Sequence, residues 1–116
     1  MKHIDAIKAF SMINKMGNKV TGKTAYEMFK LKTELKKIVD FQSEEEMKLV
    51  DKYGGIVEQN GLIVISDGEN RYKFQQEHIE LGNLECDIKP IDVELDRIPE
   101  ITMEEIEALY GFVNFK

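Results

Sequence analysis

Residues 17–24 of the chain read GNKVTGKT and match the pattern G-x-x-x-x-G-K-[ST], whose backbone amides bind nucleotide phosphates in P-loop proteins. In such a site the lysine contacts the β and γ phosphates, and the hydroxyl that follows it binds Mg²⁺. The apolar run 62–65 leads into an aspartate, as does the strand that supplies a further magnesium ligand in such enzymes. A nucleotide-binding protein would therefore use Gly17, Gly22, Lys23, Thr24 and Asp67.

The segment before this motif has the wrong period for such a site. A phosphate-binding loop follows a buried strand and opens a helix, so that its amides converge on the anion. Here apolar residues recur at every third position, which predicts an amphipathic helix over residues 4–16. These apolar residues are Ile4, Ile7, Phe10, Ile13 and Met16. We therefore favour a Gly/Asn turn between two helices, and we expect no enzymatic activity.

The composition is that of one globular domain without a cofactor. Its 116 residues are 42% hydrophobic and 33% charged, which describes neither a disordered chain nor a membrane protein. One cysteine, Cys86, excludes an intrachain disulfide and a cysteine-cluster zinc site. The two histidines, His3 and His78, are too few for a histidine metal site. The longest apolar run, 62–65, is far shorter than the roughly 20 residues of a transmembrane helix, so we expect no membrane insertion.

The charges are divided unevenly along the chain, whose net charge is −6. Residues 1–40 contain nine lysines and four acidic residues, a net charge of +5, whereas residues 41–116 have a net charge of −11. The basic part has no arginine, the residue that favours bidentate contacts with bases and phosphates, so direct nucleic-acid binding is not expected. Each part could instead bind a protein surface of the opposite sign.

The residue patterns predict an α+β fold in one domain. Residues 1–53 read as an antiparallel helical hairpin with a long second helix from residue 23, on whose polar side Lys23, Lys30 and Lys37 recur every seventh position. Thr21 is the expected N-cap of this helix. A capping-box pattern formed by Ser43 and Glu46 predicts a kink or a restart near Gln42, and Gly54 should end the helix.

Residues 54–98 read as a small antiparallel sheet of three or four strands with a short helix. Asn60-Gly61 and Asp67-Gly68 are hairpin signals, and the alternation at Tyr72 and Phe74 predicts the third strand. A short helix is expected over 75–81. Alternation over 84–95 predicts a further strand with a shift of phase at Pro90.

Residues 101–116 read as a short helix and an apolar tail. Thr102 and Glu105 form a capping box that should begin the helix, and Gly111 should end it. The tail contains Phe112, Val113 and Phe115, which is unusually apolar for a terminus. These residues either pack on the sheet or bind a partner.

The order of these features resembles a family of small phage and prophage proteins of unknown function. The resemblance covers most of the chain and rests on Lys52-Tyr53-Gly54, on Asn60-Gly61, on Leu84-Glu85 with the acidic strand that follows, and on residues 101–109. It implies genes near those of virion structure, a place in the host bacterial cytoplasm or on the virion, and a role through protein contacts. It implies no catalytic residues.

Three hypotheses follow from the sequence. The first is a non-enzymatic phage or prophage accessory protein that binds a phage structural or assembly protein or a host factor, with self-association left open. Its contact residues would be Lys23, Lys30, Lys37, Phe112, Val113 and Phe115. The second is an inhibitor of a host defence protein that imitates nucleic acid with an acidic face formed by Asp87, Asp92, Glu94 and Asp96. The third is the P-loop nucleotide-binding protein.

Overall fold

The computed structural model describes residues 1–116 and confirms an α+β fold with four α-helices and two small sheets. The elements are α1 (His3–Lys15), α2 (Gly22–Lys52), β1 (Ile56–Val57), β2 (Ile63–Val64), α3 (Gly68–Gly82), β3 (Ile91–Val93), a 3-10 helix (Leu95–Arg97), α4 (Met103–Leu109) and β4 (Val113–Phe115). No segment of these helices has the length and hydropathy of a transmembrane span.

Helices α1 and α2 form the predicted antiparallel hairpin. The ring of His3, at the start of α1, lies 5.7 Å from that of Phe41, whereas Phe10 lies under the ammonium group of Lys32. As residue numbers rise along α1, the numbers of the α2 residues that it contacts fall, so the two helices run antiparallel. The main core fills the space between the hairpin, α4 and the second sheet. Its buried residues are Ala6, Ala9, Ile13, Met16, Met28, Leu31, Leu35, Val93, Ile98, Leu109, Phe112 and Val113.

The predicted restart near Gln42 is wrong, because α2 runs through this position as one helix of 31 residues. The side chain of Gln42 is 8% exposed, and its Nε2 donates to the carbonyl of Leu81 and contacts Nδ1 of His3 at 2.7 Å. One side chain thus links α1, α2 and α3, and these two contacts give its buried amide group hydrogen-bond partners. At 1.5 Å per residue α2 is about 46 Å long, close to the 52 Å longest dimension of the molecule.

The first sheet has two strands, and the predicted third strand is wrong. β1 and β2 pair antiparallel, with Ile56 opposite Val64, as the Asn60-Gly61 signal predicts. Asp67-Gly68 is no hairpin turn, because the Asp67 carboxylate accepts a hydrogen bond from the amide of Asn70 and caps α3. Phe74 then packs inward in a small second core with Val50 and Ile65. The dipeptide Asp-Gly occurs both in hairpin turns and at helix starts, where the aspartate is the N-cap. The pair Asp67-Gly68 alone therefore did not distinguish a turn from a helix.

The cap gives a direct test of this assignment. We expect Asp67→Ala to lower the free energy of unfolding by about 1 kcal/mol, because one amide of the first turn of α3 loses its acceptor. Urea denaturation followed by circular dichroism measures the change. Asp87→Ala is the matched control, since Asp87 is exposed and precedes no helix. Equal effects of the two substitutions would contradict the role of Asp67 as a cap.

The second sheet is parallel, which corrects the prediction of an antiparallel one. β3 pairs with β4 at the C-terminus, with Ile91 opposite Val113 and Val93 opposite Phe115. Residues 84–88 lie outside the sheet and make one isolated bridge, between Lys2 and Glu85. A parallel pair needs a long crossover connection, which here consists of the 3-10 helix and α4.

The apolar tail packs inside the protein. Phe112 and Val113 are 1% and 3% exposed, and Phe115 packs partly buried against the same core. Of the two predicted roles for this tail, the structure selects packing on the sheet. Phe112 and Val113 are therefore not available as partner-binding residues, and the prediction that they bind a partner is wrong.

Candidate functional site

The GNKVTGKT segment lies between two helices and lacks the surroundings of a phosphate-binding loop. α1 precedes it where a central strand is required, and α2 begins at Gly22, whose φ of +63° accommodates the turn. Lys23 and Thr24 lie in the first turn of α2, whereas Asp67 follows β2 at the opposite end of that helix. Asp67 is thus separated from Gly17, Gly22, Lys23 and Thr24 by most of the length of α2.

Lys23 and Thr24 instead line a groove between α2 and the second sheet. This cavity of about 590 Å³ has the first turns of α2 on one wall, and β3 with the 3-10 helix on the other. Its residues are Thr21, Gly22, Lys23, Thr24, Glu27, Asp92, Val93, Glu94, Asp96 and Arg97. Acidic side chains therefore surround the start of α2, which opposes the binding of a phosphate there.

A second cavity of about 760 Å³ continues the groove along α2. It shares Lys23, Glu27 and Asp92 with the first cavity and extends to Glu34. Its other residues are Lys30, Leu31, Asp87, Ile88, Lys89, Pro90 and Ile91. We call the two cavities together the charged groove; it runs between residues 21–34 of α2 and the segment 87–97.

The charged groove brings together residues that the sequence assigned to two separate sites. Lys23 and Lys30, predicted as partner contacts, lie on the α2 wall. All four residues of the predicted acidic face, Asp87, Asp92, Glu94 and Asp96, are exposed and line the opposite wall. Lys37 lies outside the groove and pairs with Glu34 at 3.0 Å. Lys37 is exposed on the same helix, and its place in a partner-binding surface stays a prediction.

Sequence reasoning missed four charged residues of the groove: Glu27, Glu34, Lys89 and Arg97. With them the groove contains six acidic and four basic side chains, a net charge of −2. The i, i+4 spacing of Lys23 and Glu27 on a helix was the available signal that basic and acidic groups share this face.

Ion pairs neutralise part of this charge. Lys30 contacts Glu27 at 3.1 Å, and Arg97 contacts Glu94 at 3.7 Å. Four charged residues of the groove take part in none of the ion pairs of the protein: Lys23, Asp87, Lys89 and Asp96. They are the groups that an incoming partner can neutralise without breaking an internal contact.

Asp92 occupies the middle of the groove and is held in its ionised form. Its carboxylate accepts a hydrogen bond of 3.1 Å from the Asn114 amide and lies 3.4 Å from the ammonium group of Lys116. The Asn114 hydrogen bond and then Lys116 lower the pKa of Asp92 below its ordinary value. The parallel pairing of β3 with β4 creates both contacts, since Asn114 lies directly opposite Asp92.

A partly buried ion pair connects the helical hairpin to α4: the side chain of Glu105 is 8% exposed and that of Lys19 is 30% exposed. Nζ of Lys19 donates to Oε1 and Oε2 of Glu105 at 2.9 and 3.1 Å. Burial raises the pKa of Glu105, but the hydrogen bonds from Lys19 and Thr102 outweigh that effect and lower the pKa below its ordinary value. Because Lys19 is in the loop that leads into α2, this pair fixes the position of the first turn of that helix.

The groove offers side chains of both signs for the recognition of charge. Its acidic side chains form no group of metal ligands, and neither histidine lies among its residues. Comparison with protein-family models, with curated proteins and with solved structures finds no match to this chain.

Proposed function

We propose that the protein is a non-enzymatic phage or prophage accessory protein that binds another protein through the charged groove. The observation that carries the proposal is the convergence of Lys23 and Lys30 with the four acidic residues on the two walls of one groove. The phage context and the role in virion or tail assembly come from the family resemblance of the sequence. The protein acts in the host cytoplasm or on the virion.

The charges of the groove indicate what kind of partner it fits. Each wall carries both signs, so a uniformly charged ligand such as a nucleic acid meets like charges on both walls. A protein segment that carries acidic and basic side chains can pair with Lys23 on one wall and with Asp87 and Asp96 on the other. Such charge pairs act mainly on specificity and association rate.

Affinity capture from prophage-induced cells tests this function. We expect the wild-type protein to retain a phage or host protein, and Lys23→Ala to weaken its binding about tenfold or more in a titration with the purified partner, because a charge pair is lost in the groove. Lys36→Ala is the matched control on the same helix, since Lys36 and its ion-pair partner Asp40 both lie outside the groove, and it should bind as the wild type does. Equal effects of the two substitutions, or none, would contradict recognition through the groove.

A second candidate function is inhibition of a host defence protein by imitation of nucleic acid. It is favoured by the exposure of Asp87, Asp92, Glu94 and Asp96 along a single groove. The proposal predicts that the captured partner binds DNA or RNA and that the two ligands compete. Asp96→Asn would weaken this competition, whereas Lys23→Ala would strengthen it because it removes a positive charge from the imitating surface.

A further inference from the structure

The charged groove follows a sheet edge whose backbone groups have no partner in the chain. β3 is paired along one edge only, where the backbone groups of Ile91 and Val93 bond to β4. In a parallel ladder alternate residues bond to the same neighbour, so the amides of Asp92 and Glu94 point to the opposite edge. α2 and β3 line the groove and no residue of β4 does, so the groove lies along this free edge.

The unpaired backbone continues on the N-terminal side of β3. Residues 87–90 take part in no backbone hydrogen bond of the chain, and all four line the groove. Of these residues only Pro90 has no amide hydrogen to donate. Residues 87–94 therefore present a row of free donors and acceptors, and such a row is a template for a further strand.

We propose that the partner enters the charged groove as an extended segment and pairs as a strand with the free edge of β3. This inference rests on the proposed function, because it states the form in which the same partner binds. A bound helix satisfies its own backbone groups and would leave those of residues 87–94 unpaired. An added strand pairs with them, and its main-chain hydrogen bonds supply affinity while the side chains beside them supply specificity.

The groove has the length that an added strand needs. Its α2 wall, residues 21–34, is about 20 Å long at 1.5 Å per residue. An extended chain rises about 3.3 Å per residue, so about six residues span the groove. A third strand also stabilises a sheet that has only two short strands in the free protein.

The charges along the edge indicate which segment fits. Residues 87–94 contain three acidic residues and one lysine, so the same edge of a second copy would be repelled. Asp87 and Asp96 have no ion-pair partner within the chain and can bind basic side chains, whereas Lys23 can bind an acidic one. The occupant is therefore an extended segment of mixed charge in which basic residues are in excess.

Proline at position 94 tests the pairing directly. Glu94 has a φ of −78°, which proline adopts without strain, and its amide belongs to the free edge. Glu94→Pro therefore removes a donor of that edge and no hydrogen bond between β3 and β4. Glu94→Ala is the matched control, because it removes the same carboxylate and keeps the amide. The probe is a displayed library of random peptides of about ten residues, selected on the immobilised wild-type protein.

We expect the selected peptides to bind Glu94→Pro about tenfold or more weakly than Glu94→Ala, because a main-chain hydrogen bond is lost and the proline ring obstructs the incoming strand. Equal affinities for the two variants, or a selection that yields no binding peptide, would overturn strand addition. Lys23→Ala and the captured partner test groove recognition separately. If Lys23→Ala weakens partner binding while the two Glu94 variants behave alike, the proposed function stands and strand addition fails.

Amide hydrogen exchange of the wild-type protein is a second measurement that needs no variant. The amides of Asp92 and Glu94 should exchange rapidly in the free protein, and saturation with a selected peptide should slow both about tenfold or more. The Ile91 amide, which already donates to Phe112, is the internal reference and should change little. Circular dichroism shows whether Glu94→Pro folds. If it does not, unchanged exchange at Asp92 and Glu94 would still overturn the proposal.

Discussion

Replacing Phe112 with alanine lowers the free energy of unfolding by about 3–5 kcal/mol, which is the usual cost of removing a buried phenylalanine ring from a core. Phe112 is 1% exposed and belongs to the main core with Leu109 and Val113. Because domains of this size are stable by about 5–15 kcal/mol, the loss is a large fraction of the total. Urea denaturation at neutral pH measures it.

Tyr110→Ala is the control for this experiment. It removes a large aromatic side chain two residues earlier, but one that is 75% exposed, so we expect a change within about 0.5 kcal/mol. If Phe112→Ala were as mild as Tyr110→Ala, the tail would not be packed in solution. The hypothesis that it binds a partner would then regain its support.

The second large effect is expected at Glu105. Glu105→Gln keeps the size of the side chain but removes the charge that Lys19 contacts at 2.9 Å, and we expect a loss of about 1.5–3 kcal/mol at neutral pH, the usual contribution of hydrogen bonds to a charged group. Glu104→Gln is the control, since Glu104 is an exposed neighbour in the same first turn of α4. It should change the free energy of unfolding by less than about 0.5 kcal/mol.

The effect of Glu105→Gln should depend on pH. The folded protein lowers the pKa of Glu105, so the stabilisation by its charge is fully present above the unfolded pKa of about 4.3 and is lost as the pH falls through the folded pKa. The wild type and Glu105→Gln should therefore converge in stability in acid. Urea titrations at neutral and acidic pH measure the difference, and a gap that widens on acidification would contradict the ion pair.

The charged groove explains why neither half of the sequence revealed a site alone. The lysine stripe of α2 and the acidic segment 87–97 were separate surfaces at the level of sequence, with different hypothetical partners. The structure places them on facing walls, because β3 packs beside α2 with Val93 in the main core. The sequence predicted two surfaces, each of one charge sign, whereas the structure shows one groove that contains both signs. The phage context stays a prediction from the family resemblance.

Much of the helical part of the fold could be predicted because its signals act over a few residues. The three-residue period of α1, the stop at Gly54 and the capping box of Thr102 and Glu105 all lie within one or two helical turns. The antiparallel pairing of β1 and β2 followed from Asn60-Gly61 for the same reason. These elements satisfy their backbone groups locally, so the sequence alone determined them.

Only the tertiary structure decided the features that join distant segments. Lys19 and Glu105 are 86 residues apart, and β3 pairs with β4, which follows α4 in the sequence. No local pattern could therefore predict either contact. The local sequence allowed either a turn or a helix cap at Asp67-Gly68. The helix forms because it buries Phe74 against Val50 and Ile65. The sequence determined where helices begin and end. Packing determined which surfaces meet, because burial of apolar area depends on residues that come together only in the folded chain.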